Sequence, residues 1–162
     1  MTHLSWPRLL KVLVVLAALL CWSSNSLKTS VADISALERF HNSTRGNNWD
    51  LANMGCNIRT YPNFYAKLGM YASNFTGIAW NFTRDSSGGY VNDPCDASSS
   101  PSKHWIGLEC ECASSSCNIT KMSLTCGKLS GQIAPKLGSL TSLTALDLDT
   151  NSLTGLIPAS IG

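Results

Sequence analysis

The sequence predicts a mixed α/β solenoid with short parallel strands, preceded by a helical, disulfide-bonded amino-terminal cap. Two observations support this prediction: leucine and glycine recur with a 24-residue period near the end, and a cysteine-rich stretch with one amphipathic segment comes before them. We expect residues 118–162 to form two repeats. Residues 27–117 are expected to form the cap, in which residues 50–92 are an unusual insertion.

The repeat is visible when residues 119–138 (ITKMSLTCGKLSGQIAPKLG) are placed on residues 143–162 (LTALDLDTNSLTGLIPASIG). Matching residues then recur as Leu124 with Leu148, Leu129 with Leu153, Gly131 with Gly155, and Ile133 with Ile157. Each copy begins with apolar and polar residues in alternation, which is typical of a short strand with one buried face. The inward residues are Met122, Leu124, Leu146 and Leu148.

Each repeat also needs a turn after its strand. Asn151 is expected to point into that turn, because its amide can pair with backbone groups that the turning chain leaves unsatisfied. Gly127 holds the matching place in the first copy, and Pro158 excludes a helix interior in the second.

This spacing, LxxLxLxxNxLTGxIPxxIG, resembles the plant-type leucine-rich repeat of receptor-like kinases and related secreted proteins. The resemblance covers residues 118–162. It implies that the leucines fill the interior and bind nothing, so that ligand binding would fall to other positions.

The first 26 residues are typical of a secretory signal peptide. Arg8 and Lys11 give a basic start, and residues 12–22 (VLVVLAALLCW) give an apolar core. This core is shorter than the roughly 20 residues that span a bilayer, although an uncleaved anchor is the alternative. We expect the mature chain to be secreted, in the cell wall or at the cell surface, with no transmembrane segment.

The mature chain is predicted to be electrically neutral. The full chain has 12 basic and 10 acidic side chains, and loss of Arg8 and Lys11 leaves 10 of each. A neutral chain without a basic cluster argues against nucleic acid as a partner.

Six cysteines remain once Cys21 leaves with the signal peptide, and an even number in a secreted chain indicates three disulfides. They are Cys56, Cys95, Cys110, Cys112, Cys117 and Cys126. Zinc is the alternative, but paired C-x-x-C knuckles are lacking and the histidines are scattered. We expect neither metal nor cofactor. Four glycosylation sequons agree with secretion, at Asn42, Asn74, Asn81 and Asn118.

The cap is predicted to begin with a short amphipathic helix in SVADISALERFH, where Ser30 and Asp33 form a capping-box-like start. Its apolar face consists of Val31, Ile34, Leu37 and Phe40. A turn over residues 42–48 leads to Trp49, an aromatic anchor. Such a cap is needed because the first repeat has no neighbour on one side.

Later cap motifs extend the resemblance. DPC (93–95) and WxGxxC (105–110) frame a Ser-rich loop, which a disulfide between Cys95 and Cys110 would close. Together with the helix and a Trp, these motifs resemble the cap of plant leucine-rich repeat proteins. The stretch CECASSSCNITKMSL is similar to the cap of receptor kinases that carry a malectin-like domain after their repeats. This resemblance implies that Cys112 pairs with Cys117, which leaves Cys56 and Cys126 for each other. Sequence alone does not choose among the pairings that six cysteines allow.

Residues 50–92 do not fit the pattern of that cap. Their aromatic run YPNFYAKLGMY (61–71) is interpreted as cap core, with a docking patch as the alternative. Trp80 is a candidate for the second tryptophan of the cap.

The predicted ligand-binding surface is the concave side of the strands, formed by residues that alternate away from the leucines. The 24-residue register sets Ser123 beside Asp147 and Thr125 beside Asp149, with Lys121 on the same side. We expect Asp147 and Asp149 to bind a peptide or protein that carries Lys or Arg. The alternative is that these are solubilising strand residues.

No catalytic constellation is found in the sequence. His41 and His104 lie in predicted turn or loop sequence without a hydrolase or metalloprotease motif around them. Asp93 and Asp96 are expected to form turns, with calcium binding as the alternative. The chain is therefore predicted to bind a protein or peptide ligand and not to be an enzyme.

The resemblance favours the front part of a receptor-like kinase ectodomain, or a short secreted relative. Two alternatives stay open: an inhibitor of a secreted cell-wall-degrading enzyme, and a structural cell-wall glycoprotein. The apolar residues of the second repeat are expected to face an uncovered side: Leu143, Leu146, Leu148, Leu153 and Ile157. Three explanations for the uncovered apolar residues stay open. The chain continues as a longer ectodomain, the large cap stabilises two repeats alone, or another leucine-rich repeat protein binds this side as a partner.

Overall fold

The computed structural model describes residues 28–56, 77–96 and 104–161. The predicted signal peptide (1–26), the aromatic run (61–71) and the sequon at Asn74 lie outside the described residues.

Helix α1 spans Val31–Ser43 and opens the described part of the cap. The Asp33 N–H donates to the Ser30 hydroxyl at 3.0 Å, so Ser30 is the N-cap as predicted. The side chains that the helix buries are Ile34, Ala36, Leu37 and Phe40. Val31 is 62% exposed, so its predicted place on the buried face is wrong; it lies in the first turn, at the outer end of the helix.

A three-stranded sheet joins the cap to the repeats. Strand β1 (Leu108–Cys112) pairs antiparallel with β2 (Cys117–Ser123), and β4 (Ala145–Asp147) pairs parallel with β2 on its other side. The β2–β4 register sets Ser123 opposite Asp147, as the 24-residue period predicts. Because β1 occupies one edge of β2, the cap shields the first repeat on the side that would otherwise lack a neighbour.

A second parallel pair lies after the turns of the two repeats. Strand β3 (Ser130–Gln132) pairs with β5 (Ser152–Thr154), and Gly131 lies opposite Leu153. This offset is two residues shorter than the 24-residue period, so Gly131 and Gly155, which are equivalent in the sequence repeat, are not neighbours in this sheet. Short 3-10 helices follow each strand, at Pro135–Ser139 and Ala159–Ile161. The pairing supports two stacked turns, and the solenoid itself stays a prediction.

Three tryptophans form the aromatic centre of the cap. The Trp80 ring lies 4.9 Å from that of Trp49 and 5.7 Å from that of Trp105. The indole N–H of Trp49 donates to Thr44 O at 3.1 Å, and that of Trp80 donates to Ile106 O at 2.9 Å. Trp80 is thus a core residue of the cap, as its candidate role suggests.

Three disulfides brace this arrangement, in the expected pairs: Cys56–Cys126, Cys95–Cys110 and Cys112–Cys117. The first ties the stretch after Trp49 to the turn of the first repeat. The third joins the adjacent ends of β1 and β2.

The second repeat is less buried than the first. Met122 and Leu124 are fully buried, whereas their counterparts Leu146 and Leu148 are only partly buried. Ile157 is 77% exposed and its neighbour Leu156 is 91% exposed. None of the helices within the described ranges is long and apolar enough to span a bilayer.

Candidate ligand-binding face

The side-chain amide of Asn151 fixes the turn that follows β4. Its Oδ1 accepts from the Leu129 N–H at 3.0 Å, and its Nδ2 donates to Leu124 O and Leu148 O, each at 2.8 Å. These are the inward bonds that the sequence predicts for this position. They hold the backbone from which Asp149 projects.

Ser123 and Thr125 do not form the predicted exposed surface. Both are fully buried, and their hydroxyl oxygens have no hydrogen-bond partner among the residues that the structure describes. Backbone of the cap lies against both residues: the Ser123 N–H donates to Gly107 O at 2.8 Å, and the Gly55 N–H donates to Thr125 O at 3.0 Å. The first repeat is therefore buried on the side that strand alternation alone places toward solvent.

Lys121 is paired within the sheet. Its Nζ lies 2.9 Å from Glu109 Oε2 across the β1–β2 ladder, and each side chain keeps 26% of its exposure. A cross-strand ion pair of this kind stabilises the ladder modestly. The positive charge at Lys121 is thus already balanced.

Asp147 is partly buried behind Asp149. Its Oδ1 accepts from the Asp149 N–H at 3.1 Å, and its Oδ2 is buried and has no hydrogen-bond partner within the described ranges. Burial raises the pKa of the Asp147 carboxyl; the Asp149 charge acts in the same direction, and the bond from the Asp149 N–H opposes it.

Asp149 is the exposed acid of the predicted pair. Its Oδ1 accepts from the Thr150 N–H at 2.7 Å, which orients the carboxylate at the outer end of the turn. The predicted patch of five residues is therefore reduced to this exposed carboxylate, positioned by Asp147.

The three described sequons have exposed asparagines. Asn42 lies in the last turn of α1. The threonine of its sequon, Thr44, is buried just after the helix, and its hydroxyl donates to Phe40 O at 2.7 Å. Asn81 accepts from the Thr83 N–H at 3.0 Å. Asn118 lies in the antiparallel part of β2, opposite Glu111.

The two histidines considered above as catalytic candidates, His41 and His104, are partly buried. His41 belongs to α1 and not to a turn, and its ring lies 4.9 Å from that of Trp49. Burial lowers the pKa of His41, opposed by Asn42 and Glu38. Burial also lowers the pKa of His104, opposed by the charges of Asp93 and Asp96.

Asp93 has a role beyond its predicted turn. Its carboxylate accepts hydrogen bonds from the backbone N–H groups of Lys28, Thr29 and Cys95. It therefore ties the start of the described chain to the middle of the cap. Within residues 28–56, 77–96 and 104–161, no group of three or more His, Cys, Asp or Glu side chains is arranged to hold a metal ion.

Sequence reasoning missed a second polar contact in the cap. Glu38 Oε2 lies 2.6 Å from Arg84 Nη2 and accepts from the Tyr90 hydroxyl at 2.7 Å. The contact fastens the chain around Arg84 to α1. No local sequence pattern predicts this contact, because Glu38 and Arg84 are far apart in sequence.

No protein-family model matches the chain. Relatives with detectable similarity are leucine-rich repeat receptor-like serine/threonine-protein kinases of Arabidopsis thaliana. One is 31% identical over 84 residues, which cover 52% of this chain and 8% of the relative. A second is 35% identical over 85 residues, covering 51% and 7%, and a third is 42% identical over 57 residues, covering 33% and 6%.

A chain in the crystal structure of PEPR1-AtPEP1 aligns with this protein at 22% identity and a TM-score of 0.43. The alignment covers 80% of this chain and 12% of the PEPR1-AtPEP1 chain. The chain spans less than a tenth of the length of the curated relatives that it matches. Over about half of its own length, the chain is similar to plant leucine-rich repeat receptor-like kinases, which confirms the resemblance that its motifs predict.

Proposed function

We propose that the chain is a non-catalytic recognition module that binds a protein or peptide segment carrying Lys or Arg. Its partial similarity to receptor-like kinases supports a receptor-like role, as the front part of such an ectodomain or as a short secreted relative. The observation that carries the ligand chemistry is the exposed Asp149 carboxylate, whose backbone N–H is held by Asp147.

The exposed position of Asp149 favours a contact that distinguishes a cationic ligand group from a neutral one. An exposed ion pair contributes about 0.2 to 1 kcal/mol, so Asp149 would set the preference for a cation and leave most of the affinity to neighbouring contacts. Asp147 acts as a positioning residue, because its side chain contacts the Asp149 backbone while its second oxygen is buried.

An extracellular or cell-surface location fits this role. Three disulfides persist in oxidising compartments, and the exposed asparagines of the described sequons are open to glycosylation.

The test is binding of a fluorescent decapeptide in which Lys alternates with Ala, to the secreted protein and to Asp149→Asn. We expect saturable binding that the substitution weakens roughly 1.5- to 5-fold. Glu111→Gln is the matched control, because it removes an exposed charge from β1, at the opposite edge of the same sheet. Equal affinity of parent and Asp149→Asn, equal loss in the control, or no saturable binding would each refute the proposal.

A further inference from the structure

A groove of about 720 Å³ lies between α1 and the chain that leaves β3. One wall is formed by a single stripe of the helix, which includes Ser35, Arg39 and Asn42. The other wall includes Ile133, Pro135 and Lys136. The volume falls within the roughly 300 to 1,000 Å³ that is usual for ligand sites in proteins.

The two walls are fixed against each other. The Ser130 N–H donates to Thr44 O at 3.3 Å, just beyond the end of α1. At Gly131, a Cβ atom would lie 2.2 Å from Ser43 O, so the strand and the helix end are in direct backbone contact. A groove with rigid walls loses little conformational entropy when it binds a ligand.

The groove carries unbalanced positive charge. Arg39 and Lys136 are both exposed, and neither forms an ion pair with any residue in the described ranges. Arg84, Lys121 and Lys128, by contrast, each pair with a carboxylate. The described residues that line the groove include no acid.

The rest of the lining narrows the ligand class. Gln132 and Asn42 offer amide groups that can bond to a peptide backbone. Ile133 and Pro135 give an apolar strip to the wall that also holds Lys136. A compact anion would use the cations and leave the strip wet. An extended acidic peptide would use both, since its carboxylates can pair with the cations while its backbone and the methylene groups of its acidic side chains lie against the apolar strip.

We propose that this groove binds an acidic peptide segment, with Arg39 and Lys136 pairing to its carboxylates. The site is separate from Asp149 and has the opposite charge preference. Asn42 is both a lining residue and a sequon, so a glycan at this position would compete with the peptide. The test therefore uses secreted protein with Asn42→Gln, which keeps an amide in the wall and removes the glycan.

The probe is a fluorescent decapeptide in which Glu alternates with Ala, compared with the same peptide carrying Gln. We expect saturable binding of the Glu peptide that Arg39→Ala with Lys136→Ala weakens roughly 2- to 30-fold and that added salt weakens further. The control is Arg45→Asn, which removes an exposed cation outside the groove and suits the left-handed backbone there, at φ 56°.

Thermal unfolding of each variant checks that the fold is retained. Binding of the Lys peptide should be unchanged in the Arg39/Lys136 variant, which separates this proposal from the one at Asp149. Equal binding of the Glu and Gln peptides, an unchanged affinity in the Arg39/Lys136 variant, or an equal loss in Arg45→Asn would overturn the assignment. So would the absence of saturable binding.

Discussion

Asn151 of the second repeat accepts a hydrogen bond from the backbone N–H of Leu129, at the end of the turn of the first repeat, at 3.0 Å. The same amide donates to Leu124 O in the first repeat and to Leu148 O in the second. Gly127, which holds the matching place in the first repeat, has no side chain to satisfy these groups. One side chain therefore serves the backbone of both turns.

Asn151→Ala should lower the free energy of unfolding by about 2 to 4 kcal/mol, because it removes several bonds and leaves partly buried backbone groups unpaired. Urea denaturation with the disulfides intact measures this loss. Asn47→Ala, at an exposed position in the 3-10 helix Gly46–Asn48, is the control and should cost little. Similar losses in both variants would contradict the role assigned to Asn151.

Gly131→Ala should cost about 2 to 5 kcal/mol, because Gly131 has φ 106° and a Cβ atom there would overlap Ser43 O. Gly88→Ala is the matched control. Gly88 also has positive φ, at 86°, but its Cβ would meet nothing within 4 Å, so about 1 to 2 kcal/mol is expected. Thermal or urea unfolding compares the two. An equal cost would mean that α1 and β3 are not in the close contact described.

Replacing both Cys56 and Cys126 by Ser should destabilise the protein more than replacing Cys112 and Cys117. The Cys56–Cys126 disulfide closes a loop with a sequence separation of 70, and the Cys112–Cys117 disulfide closes one of 5. In the chain-entropy account, these closures stabilise the protein by about 4 and about 2 kcal/mol. Urea unfolding of the two double variants tests the order. The reverse order would show that the cap and the first repeat do not depend on the longer link.

The carboxyl of Asp147 should make stability depend on pH. Burial raises its pKa above the ordinary value of 3.8, so the folded state holds the proton more tightly than the unfolded state. This contribution is complete below the ordinary pKa and is lost as pH rises through the raised one. Asp147→Asn has no such loss and keeps an oxygen for the Asp149 N–H.

We therefore expect the unfolding free energy of Asp147→Asn, relative to the parent, to increase between pH 3 and pH 7. Urea unfolding at the two pH values measures the difference, and Glu111→Gln controls for loss of an exposed negative charge. A relative stability that stays constant or falls over this range would contradict the burial of Asp147.

The parts of the fold that follow local rules could be predicted from the sequence. The Ser30 cap, the buried stripe of α1 and the inward amide of Asn151 each depend on spacing within a few residues. The register of β2 with β4 follows from the repeat period, which fixes which residues become neighbours.

The rest depends on contacts between distant parts of the chain. Strand alternation places Ser123 and Thr125 opposite the leucines and therefore toward solvent. Both are buried, and alternation carries no information about what packs over a strand. The groove beside Arg39 likewise requires α1 and the chain after β3 to meet, which neither segment specifies alone.

The central claim is that a disulfide-bonded cap joins and shields the first of two repeats in an exported chain. Peptide mapping of the mature secreted protein by mass spectrometry without reduction tests it most directly. We predict no free thiol and the links Cys56–Cys126, Cys95–Cys110 and Cys112–Cys117. A folded protein with six free thiols, or with Cys126 joined to a cysteine other than Cys56, would contradict the account.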